Sequence, residues 1–322
     1  MHILVTGGAG FIGSVMTKIL LDRGFEVTVT DNFERGGAKK IDSRARFIKG
    51  NLLDKTFLKQ LFLAPTDCVI HFAGYISMGE SMKSPLLYFE NNVSALLNLL
   101  AAMSEKNVKN IVFSSTAGVY GSPDHIPIRE DEKTNPSNPY GESKVMGEKI
   151  LSWSNKIYGL NFVTLRYFNA AGAMPDGSLG ELHIPETHII PNAISAAMSN
   201  EEFTLYGDDY DTPDGTCIRD YIHVLDLAEA HLLALKKLSK DKGGFTYNVG
   251  TGKGYSNREV IDMVKKITKK DIVVKISYRR EGDADRLIAD SEKIKSELGF
   301  IPKYSDLETI VKTSFLWFNS HT

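Results

Sequence analysis

Ile3-Leu4-Val5-Thr6-Gly7-Gly8-Ala9-Gly10-Phe11-Ile12-Gly13 is the stretch whose reading decides the fold. A short apolar run breaks into glycines and passes at once into Ser14 to Arg23, where Val15, Ile19 and Leu20 recur at helical spacing. The pattern predicts strand, tight turn, helix. Gly7 permits the sharp turn, Gly10 keeps side chains out of the way of an anion, and Gly13 lets the helix pack on the strand. Bare N–H groups at the helix start then face a pyrophosphate, and the ligand expected there is a dinucleotide, with Phe11 and Ile12 in the same cradle.

Downstream, Phe25 to Thr30 predicts a second strand that ends in Asp31, roughly two dozen residues past Gly7, where a carboxylate suits a ribose 2′-hydroxyl. NAD is therefore expected in preference to NADP, with the nearby Arg35 as the one feature pulling the other way. Arg46 to Asn51 and Asp67 to Gly74 read as two further strands, and strand-helix alternation continues to about residue 165. The expected fold class is α/β, a doubly wound parallel Rossmann-type sheet (1–168) with a smaller C-terminal substrate-binding lobe (169–322), parts of which return to the sheet. Ser84 to Met103 predicts one long helix carrying Asn91 and Asn92.

Asn110 to Thr116 is a buried strand ending in three hydroxyls, Ser114, Ser115 and Thr116. A proline-punctuated turn then leads into a helix with Tyr140 and Lys144 four apart, on one face. Met146, Ile150 and Trp153 are expected to form its apolar stripe. A free tyrosine ionises near pH 10, and a neighbouring ammonium, with the positive nicotinamide of NAD⁺, is expected to lower that value and make a base.

With 322 residues, 42% hydrophobic and 24% charged, and a formal net charge of -2, the chain has a globular composition and no global field for nucleic acid. Basic pairs such as Lys39-Lys40 and Lys265-Lys266 are scattered. Cys68 and Cys217 fit no disulfide framework or metal spacing, the histidines form no H-E-x-x-H cluster, and no metal is expected. No apolar run approaches a membrane span, so a cytoplasmic protein without membrane or nucleic-acid partners is expected. In the second half, Gly172 to His188 is loop-like, Thr216 to Val224 leads into a helix, and Ser256 with Glu259 forms a capping box.

Taken in order, Val5 to Gly13, Asp31-Asn32, His71-Phe72-Ala73-Gly74, Ser114-Ser115-Thr116, Val119-Tyr120-Gly121, Tyr140-x-x-x-Lys144, Arg166 to Asn169, Gly215-Thr216-x-x-Arg219-Asp220-Tyr221-Ile222-His223-Val224 and Arg279-Arg280-Glu281-Gly282-Asp283 span nearly the whole chain. This set resembles the extended short-chain dehydrogenase/reductases and, within them, the 4-epimerases that interconvert UDP-glucose and UDP-galactose. The resemblance implies that Tyr140, as phenolate, takes the proton of the sugar 4-hydroxyl while hydride leaves C4 for NAD⁺. Thr116 then steadies the oxygen, and Lys144 holds the nicotinamide ribose. It further implies that Asn32, Asn51, Leu52, Phe72, Ala73, Gly74, Asn91, Ser114 and Phe168 contact the cofactor. For the substrate, Arg219 and Arg280 would clamp the diphosphate, Asp283 the uridine ribose and Tyr206 the uracil, with Asn169 and His188 near phosphate or sugar. A homodimer through the helices of Leu87 to Met103 and Tyr140 to Ile157 is implied as well.

The sequence departs from that pattern at Ile76, where better-known members often carry Lys, at Asn51, where they carry Asp, and at Leu287, where side-chain bulk bears on acceptance of N-acetylated sugars. Related dehydratases place an Asp-Glu pair after the Thr, whereas Thr116 is followed by Ala117 and Gly118. Without that acid, elimination of water lacks its catalyst. The alternatives are a 4-epimerase of another UDP-sugar and, less favoured, such a nucleotide-sugar dehydratase or a non-catalytic NAD-binding sensor.

Overall fold

Ile3, Leu4 and Val5 have no exposed surface, as expected of a strand covered on both faces. This strand, His2–Thr6, lies inside a seven-stranded sheet ordered Gly244–Val249, Asn161–Tyr167, Asn110–Thr116, Cys68–His71, His2–Thr6, Glu26–Asp31, Arg46–Lys49. The pairings from Arg46–Lys49 across to Asn110–Thr116 are parallel, as the alternation of strands and helices predicted. Chain order reverses beside His2–Thr6, and Thr6 stands level with both Thr30 and His71. The carboxyl ends of these strands therefore share one edge at the switch point, the place where an open α/β sheet binds ligands.

The computed structural model describes residues 1–37, 40–183, 185–280 and 283–321, so Lys39 of the basic pair and Glu281 and Gly282 of the Arg279–Asp283 segment lie outside the described residues. Two compact units are present, one of residues 1–121, 134–166 and 230–247, the other of residues 122–133, 167–229 and 248–322. The first unit is built on Leu4, Leu58, Val69, Leu96, Leu99, Met103, Ile111 and Phe113. In the second, the strand Ile218–His223 pairs with three short strands, Asn169–Ala171, Gly254–Ser256 and Arg286–Leu287. The helices Ile189–Ser199, Asn257–Thr268 and Leu307–His321 share the second unit's core, and Ser256 with Glu259 makes the expected capping box.

Two expected helices differ. Ser84 is not helical, and the chain runs as Pro85–Tyr88, a π-helical turn Phe89–Ser94, then Ala95–Glu105. The wider turn accompanies a buried Asn92, whose side chain accepts from Tyr75 N at 2.8 Å and donates to Tyr75 O and to Ser143 Oγ. In Pro139–Tyr158 the buried face carries Tyr140, Ser143, Lys144, Val145, Gly147 and Leu151, and Trp153 is 63% exposed. The Met146-Ile150-Trp153 stripe is thus not the core face, because Tyr140 and Lys144 take the buried side.

Candidate active site

Gly7 has φ +72°, and a Cβ there would lie 2.5 Å from Ala73 N, so the first turn touches the exit of the fourth strand. At Gly13 a Cβ would meet Gly7 O at 2.3 Å, the close helix-strand contact expected of the third glycine. Gly10 differs. Its nearest neighbour would be 3.3 Å away, and it caps Phe11–Asp22 without a side-chain bond or an acidic residue in the first turn. Those free N–H groups and the helix dipole suit a pyrophosphate.

Asp31 Oδ2 accepts from Ala9 N at 3.0 Å and its Oδ1 from Phe33 N at 2.8 Å, which fixes the carboxylate beside the glycine turn. Arg35 is committed elsewhere: it pairs with Glu80 at 2.6 Å and lies over the Tyr75 ring at 4.8 Å. Its charge is balanced rather than held out for a 2′-phosphate. Asn32 Oδ1 accepts from Glu34 N, and exposed Asn51 accepts from Leu53 N. Leu52 puts its side chain in the core, while Phe72 N continues the sheet by donating to Thr6 O. Asn91 donates to Asn92 Oδ1, and Gly74 passes so near that a Cβ would sit 3.1 Å from Asn92 Oδ1 and 3.7 Å from Lys144 Nζ.

Pro139–Tyr158 begins at Asn138, whose side chain accepts from Gly141 N at 2.9 Å. Its first turns present Tyr140 and Lys144, both buried. Lys144 Nζ donates to the Ser114 carbonyl at 2.8 Å and lies 6.0 Å from the centre of the Tyr140 ring. Burial pushes the Tyr140 phenol up to about 12, against a hydrogen bond from Thr116 that favours the phenolate. Burial also pulls Lys144 down to about 8, with the charge of Glu148 opposing it. The chain by itself therefore does not lower the tyrosine as the sequence led us to expect, because desolvation outweighs the Thr116 hydrogen bond.

Sequence reasoning passed over the surroundings of this pair. Tyr75 and Tyr88 form an aromatic cluster with Tyr140, and the Tyr88 hydroxyl donates to Glu80, the partner of Arg35. Glu148 binds Ser115 Oγ at 2.6 Å and is paired with Arg166. The only advance signal was position, since Glu148 is one turn beyond Lys144.

In the second unit, four expected substrate residues gather. Asp283 lies 3.7 Å from Arg219 Nη2 and 3.4 Å from Arg280 Nε, and the Arg280 guanidinium stands 4.8 Å over the Tyr206 ring. Arg219 Nη1 donates to Ala284 O, and Leu287 is its register partner on the neighbouring strand. Asn169 donates to Asp220 O, while Phe168 N donates to Val249 O. His188 stands apart from that group in its bonding: its Nδ1 lies 2.8 Å from Glu181 and 3.2 Å from Glu186, and His183 joins the same cluster. The alternation Glu181-x-His183-x-x-Glu186-x-His188 was the readable signal for it.

The model of the NAD dependent epimerase/dehydratase family matches residues 3–250. A UDP-glucose 4-epimerase of Lacticaseibacillus casei is 48% identical over 323 residues, covering 100% of this chain and 98% of the relative. The structure of UDP-glucose 4-epimerase from Brucella ovis in complex with NAD superposes with a TM-score of 0.94 at 44% identity, covering 98% and 97% of the two chains. That from Bifidobacterium longum, in complex with NAD⁺ and UDP, gives 0.95 at 38% identity and covers 100% and 99%.

Proposed function

Since the chain belongs to the NAD dependent epimerase/dehydratase family, we propose that it interconverts UDP-glucose and UDP-galactose with bound NAD, the reaction of a UDP-glucose 4-epimerase. The observation that carries this reading is one buried helix face on which Tyr140 meets Thr116 while Lys144 is anchored on Ser114.

NAD fits the residues present, because the bare helix start at Gly10 suits its pyrophosphate and the fixed Asp31 carboxylate suits an unphosphorylated ribose. When bound, NAD⁺ supplies a hydride acceptor whose positive ring also favours a nearby phenolate. Tyr140 would take the proton of the sugar 4-hydroxyl and return it to the same oxygen at the end of the reaction. Thr116 donates to the same phenolic oxygen and stabilises its charge. Lys144, held by Ser114, presents a cation to the nicotinamide ribose. Gly7, Gly13, Phe72, Ala73 and Gly74 set the cradle's shape. Arg219 and Arg280 hold the diphosphate, a task suited to guanidinium forks, with Asp283, Tyr206 and Asn169 on the rest of the nucleotide and sugar.

Thr116 runs straight into the short turn Ala117–Val119, which carries no carboxylate, and this favours epimerisation over dehydration. Proton NMR of the purified protein with UDP-galactose, without and with added NAD⁺, tests the reading. Appearance of the UDP-glucose anomeric signal supports it. No conversion by folded protein under either condition removes it and turns attention to UDP-N-acetylgalactosamine, for which Leu287 is the discriminating residue.

Two finer readings accompany this one. The chain assembles as a homodimer, for which the exposure of Leu86 (80%), Leu97 (48%), Trp153 (63%) and Ile157 (65%) on the two helical segments supplies an apolar face. It works in the cytoplasm, a placement supported by two free, buried cysteines, and no described helix is long and apolar enough to cross a membrane.

A further inference from the structure

Between the strand Asn169–Ala171 and the helix Ile189–Ser199, the loop brings Glu181, His183, Glu186 and His188 together, with one ligand atom from each lying within 4.8 Å of the others. His183 Nδ1 stands 3.3 Å from Glu181 Oε1 and 3.7 Å from Glu186 Oε2. His188 Nδ1 stands 2.8 Å from Glu181 Oε1 and 3.2 Å from Glu186 Oε1. We propose that these four side chains form a site for one divalent transition-metal ion of the zinc class, with two imidazole nitrogens and two carboxylate oxygens as donors.

The distances match what such an ion requires. With metal-ligand bonds of about 2.1 Å, the edges of a tetrahedron are about 3.4 Å; the three separations to Glu181 Oε1 and Glu186 Oε2, 2.8, 3.3 and 3.7 Å, bracket that value, and all four donors lie within 4.8 Å of one another. His183 Nδ1 is buried and has no hydrogen-bond partner, so it faces the carboxylates with its lone pair or proton uncommitted. Outer contacts orient the donors, as metal sites require. Glu186 Oε1 accepts from the backbone N–H groups of Thr187 and His188 at 2.7 and 2.8 Å, and Trp317 Nε1 donates to the Glu181 carbonyl at 2.9 Å.

Charge points the same way. Glu181 and Glu186 are both largely buried, so their negative charges are costly to leave uncompensated. Two carboxylates thus call for two positive charges, which one divalent cation supplies in place of two protons. Imidazole with carboxylate is a donor set for zinc-like ions rather than for calcium or magnesium. The ion fastens the loop to the start of Ile189–Ser199, and the proposal is independent of the epimerase reading.

The test uses the full chain stripped of metal with a chelator and titrated with Co²⁺, then Zn²⁺. One Co²⁺ per chain with the strong visible absorption of four-coordinate cobalt, displaced by Zn²⁺, is the expected result. His183→Ala and Glu186→Gln, with folding checked by circular dichroism, are expected to lose that absorption and to weaken Zn²⁺ binding by more than about tenfold, the least loss seen even for outer partners of a metal ligand. Absence of the absorption from the wild type overturns the proposal whatever the variants do. So does wild-type affinity retained in both variants.

Discussion

Glu148 grips the Arg166 guanidinium through both carboxylate oxygens, at 3.0 Å to Nε and 2.6 Å to Nη2, one helical turn beyond Lys144. Both side chains are nearly buried, at 12% and 8% exposed, and Arg166 Nη1 also donates to the Tyr120 hydroxyl. Glu148→Ala strands a buried cation and is expected to cost about 3–5 kcal/mol in urea denaturation. Glu148 also raises Lys144, so its loss lets that lysine fall further below about 8. The alkaline limb of the rate profile should then move toward neutrality, and a limb that stays in place would separate it from Lys144.

Tyr140 and Thr116 give separable kinetic effects. Tyr140→Phe should lower kcat by about 10²–10⁴ while leaving NAD binding intact. Thr116→Val removes the hydrogen bond that favours the phenolate, so the acidic limb moves to higher pH. Rate profiles of both variants, with fluorescence titration of NAD, check the assignment.

Lys144 sets function against stability. Its value is lowered by burial from 10.5 to about 8. A base depressed in the folded state binds fewer protons there than in the unfolded chain, so its contribution is full above 10.5 and is lost as pH falls through about 8. The difference corresponds to roughly 3 kcal/mol. Wild-type stability should therefore gain a rising component between pH 8 and 10. Lys144→Met should lack it, melt higher at pH 7, and turn over no substrate.

The glycines separate folding from binding. Gly13→Ala drives a Cβ into Gly7 O, and strain of this kind costs about 1–3 kcal/mol. Gly10→Ala, with a φ of -74° and Gly7 O at 3.3 Å as its one close contact, should lose less stability than Gly13→Ala yet bind NAD at least tenfold more weakly, about 1.4 kcal/mol. Thermal melts beside NAD titrations distinguish the two, and unchanged NAD affinity in Gly10→Ala would move the pyrophosphate off this helix start.

Arg35 is paired with Glu80, which ties up a guanidinium that a 2′-phosphate would need. Glu80→Gln frees that guanidinium and should raise NADP⁺ affinity by about tenfold, or about 1.4 kcal/mol, without comparable change for NAD⁺. Equal responses to the two cofactors would show that Asp31 acts alone.

The parallel sheet and the cradle were legible in the sequence because glycine spacing and buried apolar runs are local signals. Tyr140 and Lys144 were legible as a pair because four residues is one helical turn. What was not legible depended on burial and on partners far along the chain. Desolvation of Tyr140, Glu80 taking up Arg35 from 45 residues away, and Arg166 reaching Glu148 all arise from packing. Trp153 misled for a related reason, since an apolar stripe states that a surface will be covered without saying by what. The paired Glu-x-His steps at 181–183 and 186–188 lie in a loop, where no helical spacing marks them as one group.

The π-helical turn Phe89–Ser94 works as a phase shifter. Each residue of an α-helix advances the wheel by about 100°, so a turn that holds one residue more leaves the segments on its two sides out of step. A single deletion inside it would restore one continuous wheel and rotate everything on one side by that angle. Either Asn92 would leave Tyr75 and Ser143, or Leu96, Leu99 and Met103 would leave the core. The length of this turn is thus as much a part of the site as the identity of its residues.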